Sequence, residues 1–154
     1  MRKNIFLTIS LALVLGVFGV NLEVSAAPAK TQNAQVISAT PLSVVATPNK
    51  YLNKTVKMQA TFDKFSALGL DYSKAERKSG EYIGILIQRD DVLDHNIPLS
   101  EMKLFMKKEM AEKYIELDTG DKIEITAKVF STALNDPWLD IIKLNVIQKA
   151  KKVN

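Results

Sequence analysis

The stretch Ser-Glu-Met-Lys-Leu-Phe-Met-Lys-Lys-Glu-Met-Ala-Glu-Lys-Tyr-Ile-Glu-Leu, residues 100–117, decides the fold. Read at helical spacing, Met102, Met106, Met110 and Tyr114 or Leu117 line one face, and the run is built of strong helix formers. Read at a period of two, Met102, Leu104 and Met106 alternate against Lys103, Phe105 and Lys107. Helix propensity is a weak prior that tertiary packing overrides. The run is therefore divided into a strand over 101–107 and a helix over 108–116. One continuous helix over 100–117 would give an α+β sheet instead.

Outward from this stretch the pattern is more regular. Asp118-Thr119-Gly120-Asp121 reads as a turn. Residues 122–130 then alternate, with Ile123, Ile125, Ala127 and Val129 inward. After a loop over 131–137, residues 138–147 form a last strand rich in Ile, Leu and Val. On the other side, residues 82–89 are β-rich, with Ile83, Ile85 and Ile87 on one face. Gly84 sits on the other face, where a bend or a close backbone approach is expected. Residues 66–81 make a long charged loop, of a length that in compact domains is usually functional or mobile. Before it, residues 55–65 alternate, with Val56, Met58, Ala60 and Phe62 on one side and Lys57, Gln59, Thr61 and Asp63 on the other. Thr40-Pro41 is an N-cap followed by proline in the first helical position, and Thr47-Pro48 repeats the signal for one more turn. Asn53 is suited to a left-handed C-cap.

The whole chain has 154 residues, no cysteine, one histidine (His95), a net charge of +4 and 47% hydrophobic residues. Its start differs from the rest. Arg2 and Lys3 precede an uncharged apolar run over residues 5–20, and Val24-Ser25-Ala26 supplies small residues in an A-x-A-like pattern. These are the three parts of a secretory signal peptide, with cleavage expected after Ala26. The apolar run falls short of the roughly 20 residues needed to span a bilayer, so no stable membrane span is expected once it is removed. The expected location is a bacterial periplasm or the exterior. Losing Arg2, Lys3 and Glu23 lowers the net charge from +4 to +3, a mild excess rather than a dense basic stripe. Residues 27–39 read as a flexible leader, 40–148 as one domain, and 149–154 (with Lys149, Lys151 and Lys152) as a frayed basic tail.

The element order is three strands, a helix and two strands, behind a small leading helix. This is the order of the five-stranded Greek-key OB-fold, in which a helix plugs the barrel between the third and fourth strands. Local phrases agree. Lys54-Thr55-Val56-Lys57-Met58-Gln59-Ala60 resembles the opening strand of many bacterial OB domains, and residues 117–129 resemble their passage from helix to fourth strand. Asp136-Pro137-Trp138-Leu139-Asp140-Ile141 is similar to a turn feeding their last strand. The resemblance spans roughly residues 40–148 at superfamily level. It implies an all-β barrel that binds on the face of its second and third strands, flanked by the loops after strand one and before strand five. That surface would include Tyr82, Gly84, Lys103, Phe105 and Lys107. The first loop would add Phe65, Tyr72, Lys74, Arg77 and Lys78, and the second Asn135 and Trp138. Aromatic rings beside cations suit single-stranded nucleic acid, while the simpler expectation makes Phe65, Phe105 and Trp138 core or cover for the leading helix and the lysines solvated charges.

Chemistry is otherwise thinly represented. Without cysteine there is no disulfide framework, thiol catalysis or Cys-ligated zinc. Asp90, Asp91, Asp94 and His95 form the acidic cluster, but their spacing does not match a calcium loop, and a solvated turn is expected there. No nucleophile elbow or phosphate loop is present, and Asp63 and Asp121 stand at strand ends without marking a catalytic pair. The expectation is a non-enzymatic binding module without cofactor or metal. Its candidate partners are single-stranded nucleic acid, an envelope glycan or an envelope protein. The alternative is a protein-interaction or envelope-stress scaffold.

Overall fold

Alternation in the sequence becomes inside and outside in the barrel. In the computed structural model, residues 35–67, 69–92 and 97–151 are described. The elements are β1 (Val36–Ser38), α1 (Pro41–Ala46), α2 (Pro48–Tyr51), β2 (Thr55–Ser66), β3 (Tyr82–Ile87), β4 (Lys103–Lys107), α3 (Lys108–Ala111), β5 (Lys122–Ser131) and β6 (Trp138–Gln148). The expected signal peptide, residues 27–34 of the expected leader, and Asp94 and His95 lie outside the described residues. Among those described, no helix is long and apolar enough to cross a membrane.

Strand β2 organises the sheet because it is long enough to serve two neighbours. Its first part pairs antiparallel with β5, from Thr55 opposite Lys128 to Thr61 opposite Lys122. Its last part pairs antiparallel with β3, from Phe62 opposite Ile87 to Ser66 opposite Gly84. The register shifts between Phe62 and Lys64, next to the point where the pairing passes from one neighbour to the other. An extra residue of this kind bends a strand and increases its twist, as barrel closure requires. β3 pairs with β4, β4 runs parallel to β6, and β6 pairs antiparallel with β5, which closes the ring. The result is a mostly-β, five-stranded closed barrel with a short helix before β5, the topology of an OB-fold.

The interior is made of the side chains that the alternation assigned to it. Val56, Met58, Ala60 and Phe62 meet Ile123, Ile125, Ala127 and Val129 there, with Ile85, Ile87, Leu104, Met106 and Leu139. The ambiguous run resolves as strand and then helix. Leu104 and Met106 point inward, while Phe105 is buried on the opposite face. A strand buried on both faces loses the apolar-polar contrast that usually marks one. The helix is shorter than expected: α3 ends at Ala111 and continues as a 3-10 turn over Glu112–Tyr114. Met110, Ala111, Tyr114 and Leu117 plug the end of the barrel, and the Tyr114 hydroxyl donates to the Leu144 carbonyl.

Both ends of the chain need correction. The expected leader is structured over Val36–Ser38, which pairs in parallel with Thr55–Lys57 and packs Ile37 against the core. The β-branched pair Val36-Ile37 suits a short strand, and here it covers an edge of β2. The expected frayed tail is anchored at its start. The Lys149 ammonium lies 2.7 Å from Asp121 Oδ2, and the Ala150 amide donates to Asp121 Oδ1 at 2.7 Å. The leading helix follows its signals. Thr40 and Ser43 form a reciprocal capping box, Pro41 and Pro48 open the two short helices, and Asn53 takes φ +63°.

Candidate ligand-binding face

Residues that alternate with the core side chains of β3, β4, β5 and β6 point outward and share one face. Tyr82, Phe105, Phe130, Trp138 and Asp140 are opposed in sequence to the inward Ile83, Leu104, Val129 and Leu139. This is the face the resemblance implied, and it brings Tyr82, Gly84, Lys103, Phe105 and Lys107 onto adjacent strands. It is not open. Phe105 and Trp138 are each only 1% exposed, because a second small core closes over them from the loop between β2 and β3.

That loop supplies Leu70, Tyr72, Ala75 and Arg77. Tyr72 stacks on Trp138 with ring centroids 5.3 Å apart, and Trp138 stacks in turn on Phe105 at 5.7 Å. Phe130 lies beyond Phe105 at 6.1 Å. The indole N–H is satisfied by the Ala133 carbonyl at 2.8 Å. Arg77 closes the arrangement. Its Nε and Nη2 donate to the two carboxylate oxygens of Asp140 at 2.8 and 2.7 Å, and its guanidinium sits 3.5 Å from the centroid of Phe130. The Asp140 hydrogen bond, opposed by burial, raises the Arg77 pKa further above its ordinary value. Bidentate pairing and a cation held over a ring are the strong forms of both contacts.

Several expected ligand contacts are thus made within the chain. Phe105 and Trp138 are covered rather than presented, Tyr72 is spent on Trp138, and Arg77 on Asp140. Lys78 pairs with Glu81 at 3.4 Å, and Lys103 pairs with Asp136 at 3.4 Å while donating to the Ser100 carbonyl. Lys74 and Lys107 remain exposed. Phe65 is not part of this group, because it packs edge-on against Phe62 on the main core. Sequence reasoning missed Phe130 and Asp140, although alternation from Val129 and Trp138 places both outward. Among the described residues, no three His, Asp or Glu side chains converge to hold a metal ion.

A cleft of about 280 Å³ remains between the two loops, lined by Tyr72, Leu86, Pro98, Leu134 and Trp138 together with the Lys103–Asp136 pair. Leu134 and Asn135 both have left-handed backbones, at φ +61° and +63°. Leucine is strained there, yet Leu134 is 67% exposed and so recovers little packing. Strain of this kind, held in place by the surroundings, points to use rather than stability. Leu134→Asn should therefore stabilise the protein by about 0.5–1 kcal/mol, because asparagine tolerates this conformation better. The check is a rise in Tm of about 2–4 °C in a thermal melt.

No protein-family model matches the sequence, and no curated protein matches it. Solved structures do match. One is a protein assigned as an aspartyl-tRNA synthetase from Leishmania major Friedlin, at TM-score 0.50 and 13% identity, covering 84% of this chain and 24% of that one. Another is the asparaginyl-tRNA synthetase from Pyrococcus horikoshii, at TM-score 0.47 and 15% identity, covering 73% of this chain and 23% of that one. The chain spans about a quarter of the length of these proteins. At such identity the likeness is one of fold. It places this barrel with the OB-folds and says nothing of its ligand.

Proposed function

We propose that the protein is an exported, non-catalytic OB-fold module that holds a segment of a partner protein in the cleft between residues 69–80 and 132–137. One observation carries this reading: Tyr72, Leu86, Pro98 and Leu134 give the cleft apolar walls, while the cation that lines it, Lys103, is already paired with Asp136. An apolar side chain of the partner would fill the cleft, and exposed Leu134 would complete the contact. The basic start, short apolar run and small residues before Ala27 support export. Single-stranded nucleic acid is the second reading, favoured by the Tyr72–Trp138–Phe105 stack and by the fold.

Leu134→Asn tests the proposal cleanly, since it is expected to fold more firmly. Wild type should capture a partner from envelope extract that this variant does not. The purified partner should then quench Trp138 fluorescence with an affinity that hardly responds to salt. A single-stranded oligonucleotide should leave fluorescence and anisotropy unchanged at low salt. Binding of that oligonucleotide which weakens by about a thousandfold between about 50 and 200 mM salt, through counterion release, would replace the protein reading with the nucleic-acid one.

A further inference from the structure

The segment that closes the outer face resembles a bound ligand more than a piece of barrel. Residues 70–77 bond to one another, Ala75 N to Tyr72 O at 2.9 Å and Arg77 N to Leu70 O at 2.8 Å, and reach the barrel through side chains. What they place on the face is a flat ring stacked on Trp138 and a cation held by a carboxylate. Glycines bound the segment. Gly69 takes φ +79° against the rings of Trp138 and Phe105, and a Cβ at Gly80 would meet nothing within 4 Å. Beneath it lies a continuous aromatic surface, Trp138, Phe105 and Phe130, that a barrel needs neither for closure nor for its interior.

We infer that residues 69–80 form a releasable strap over a second binding site, one that takes a planar ring bearing a cationic group. The ring would replace Tyr72 on Trp138, and the cation would replace the Arg77 guanidinium on Asp140. The Arg77–Asp140 pair is the latch. Its side chains are 22% and 31% exposed, so solvent and a competing cation can reach them. The inference rests on reading the domain as a binding module, though not on which partner the apolar cleft takes. Strap opening can be measured with no ligand at all, so the two ideas fail separately.

Two variants test it. Arg77→Ala removes the latch and leaves the Asp140 carboxylate free, whereas Asp140→Asn loosens the latch and removes the carboxylate. Both should raise acrylamide quenching of Trp138 and speed amide exchange over residues 70–77 by about tenfold or more, while exchange in β2 and β5 stays at the wild-type rate. The probe for the exposed site is proflavine, a planar ring system that carries a positive charge. It should bind Arg77→Ala more tightly than Asp140→Asn, and wild type least. Unchanged quenching and exchange in both variants would show the strap to be a permanent layer of the core. Accelerated exchange throughout the barrel would show the same. Equal dye binding by the two variants would overturn the assignment of Asp140 to the cation.

Discussion

Trp138→Ala should cost about 3–5 kcal/mol, the usual range for deleting a buried tryptophan. The indole is 1% exposed, forms the middle of the Tyr72–Trp138–Phe105 stack and donates to Ala133. Its removal would leave three groups without their partner at once. It also begins β6, where it sits opposite Lys103 of β4 and Ser131 of β5. Against a typical domain stability of about 5–15 kcal/mol, such a loss is a large fraction of the whole. Urea denaturation followed by circular dichroism measures it, since the variant has no tryptophan to report. Leu139→Ala is the informative companion. Leu139 faces the barrel interior, so its loss should cost about 2–5 kcal/mol while leaving the strap closed. Protease cleavage within residues 69–80 should therefore rise in Trp138→Ala and not in Leu139→Ala. Equal cleavage in the two would mean that the strap and the barrel form one cooperative unit.

The same contrast explains what the sequence could reveal. β2 and β5 were legible because each buries one face, so Val56 to Phe62 and Ile123 to Val129 alternate with polar residues. β4 was ambiguous because the strap buries its outer face as well, which makes Phe105 as hidden as Leu104. The strap itself was illegible for a different reason. It is held by Arg77 to Asp140, 63 residues apart, and no local pattern encodes a pairing at that distance. Leu70, Tyr72 and Ala75 were the available hint, being apolar residues spaced through an otherwise charged loop. Val36-Ile37 was a similar hint, outweighed by the polar residues before it. Alternation and the implied fold thus sufficed to put Tyr82, Gly84, Lys103, Phe105 and Lys107 on adjacent strands, while the covering of that face by residues 70–77 depends on contacts that exist only once the chain has folded.

Asp121→Ala is the second large expected effect, about 3 kcal/mol, because a fully buried carboxylate there satisfies donors from two separate segments. It accepts from the Asp118 and Ala150 amides at 2.9 and 2.7 Å and from the Lys149 ammonium at 2.7 Å. Its own carbonyl accepts from the Phe62 amide at 2.8 Å, which ties the turn before β5 to β2 as well. Lys149 is half exposed and can rehydrate, so most of the cost comes from the two amides. The pH dependence has a definite sign. Burial pushes the Asp121 pKa up, but the bonds from Lys149, Ala150 and Asp118 together outweigh this and hold it below the ordinary value. A depressed carboxylate contributes stability that is complete above its unfolded pKa of about 3.9 and is lost as pH falls through the lower folded value. Lys149 is raised, chiefly by its bond to Asp121, so its contribution persists at neutral pH and fades only as alkali passes its folded value. Wild type should therefore lose stability from about pH 5 downward, and Asp121→Asn, less stable at pH 7, should fall along a shallower slope. Parallel slopes would move the acid sensitivity to Glu101 beside Arg89 and Glu124 beside Lys57, whose carboxyls are also held low by those bonds. The comparison thus decides whether the fastening at the end of β6 is electrostatic or merely a matter of shape.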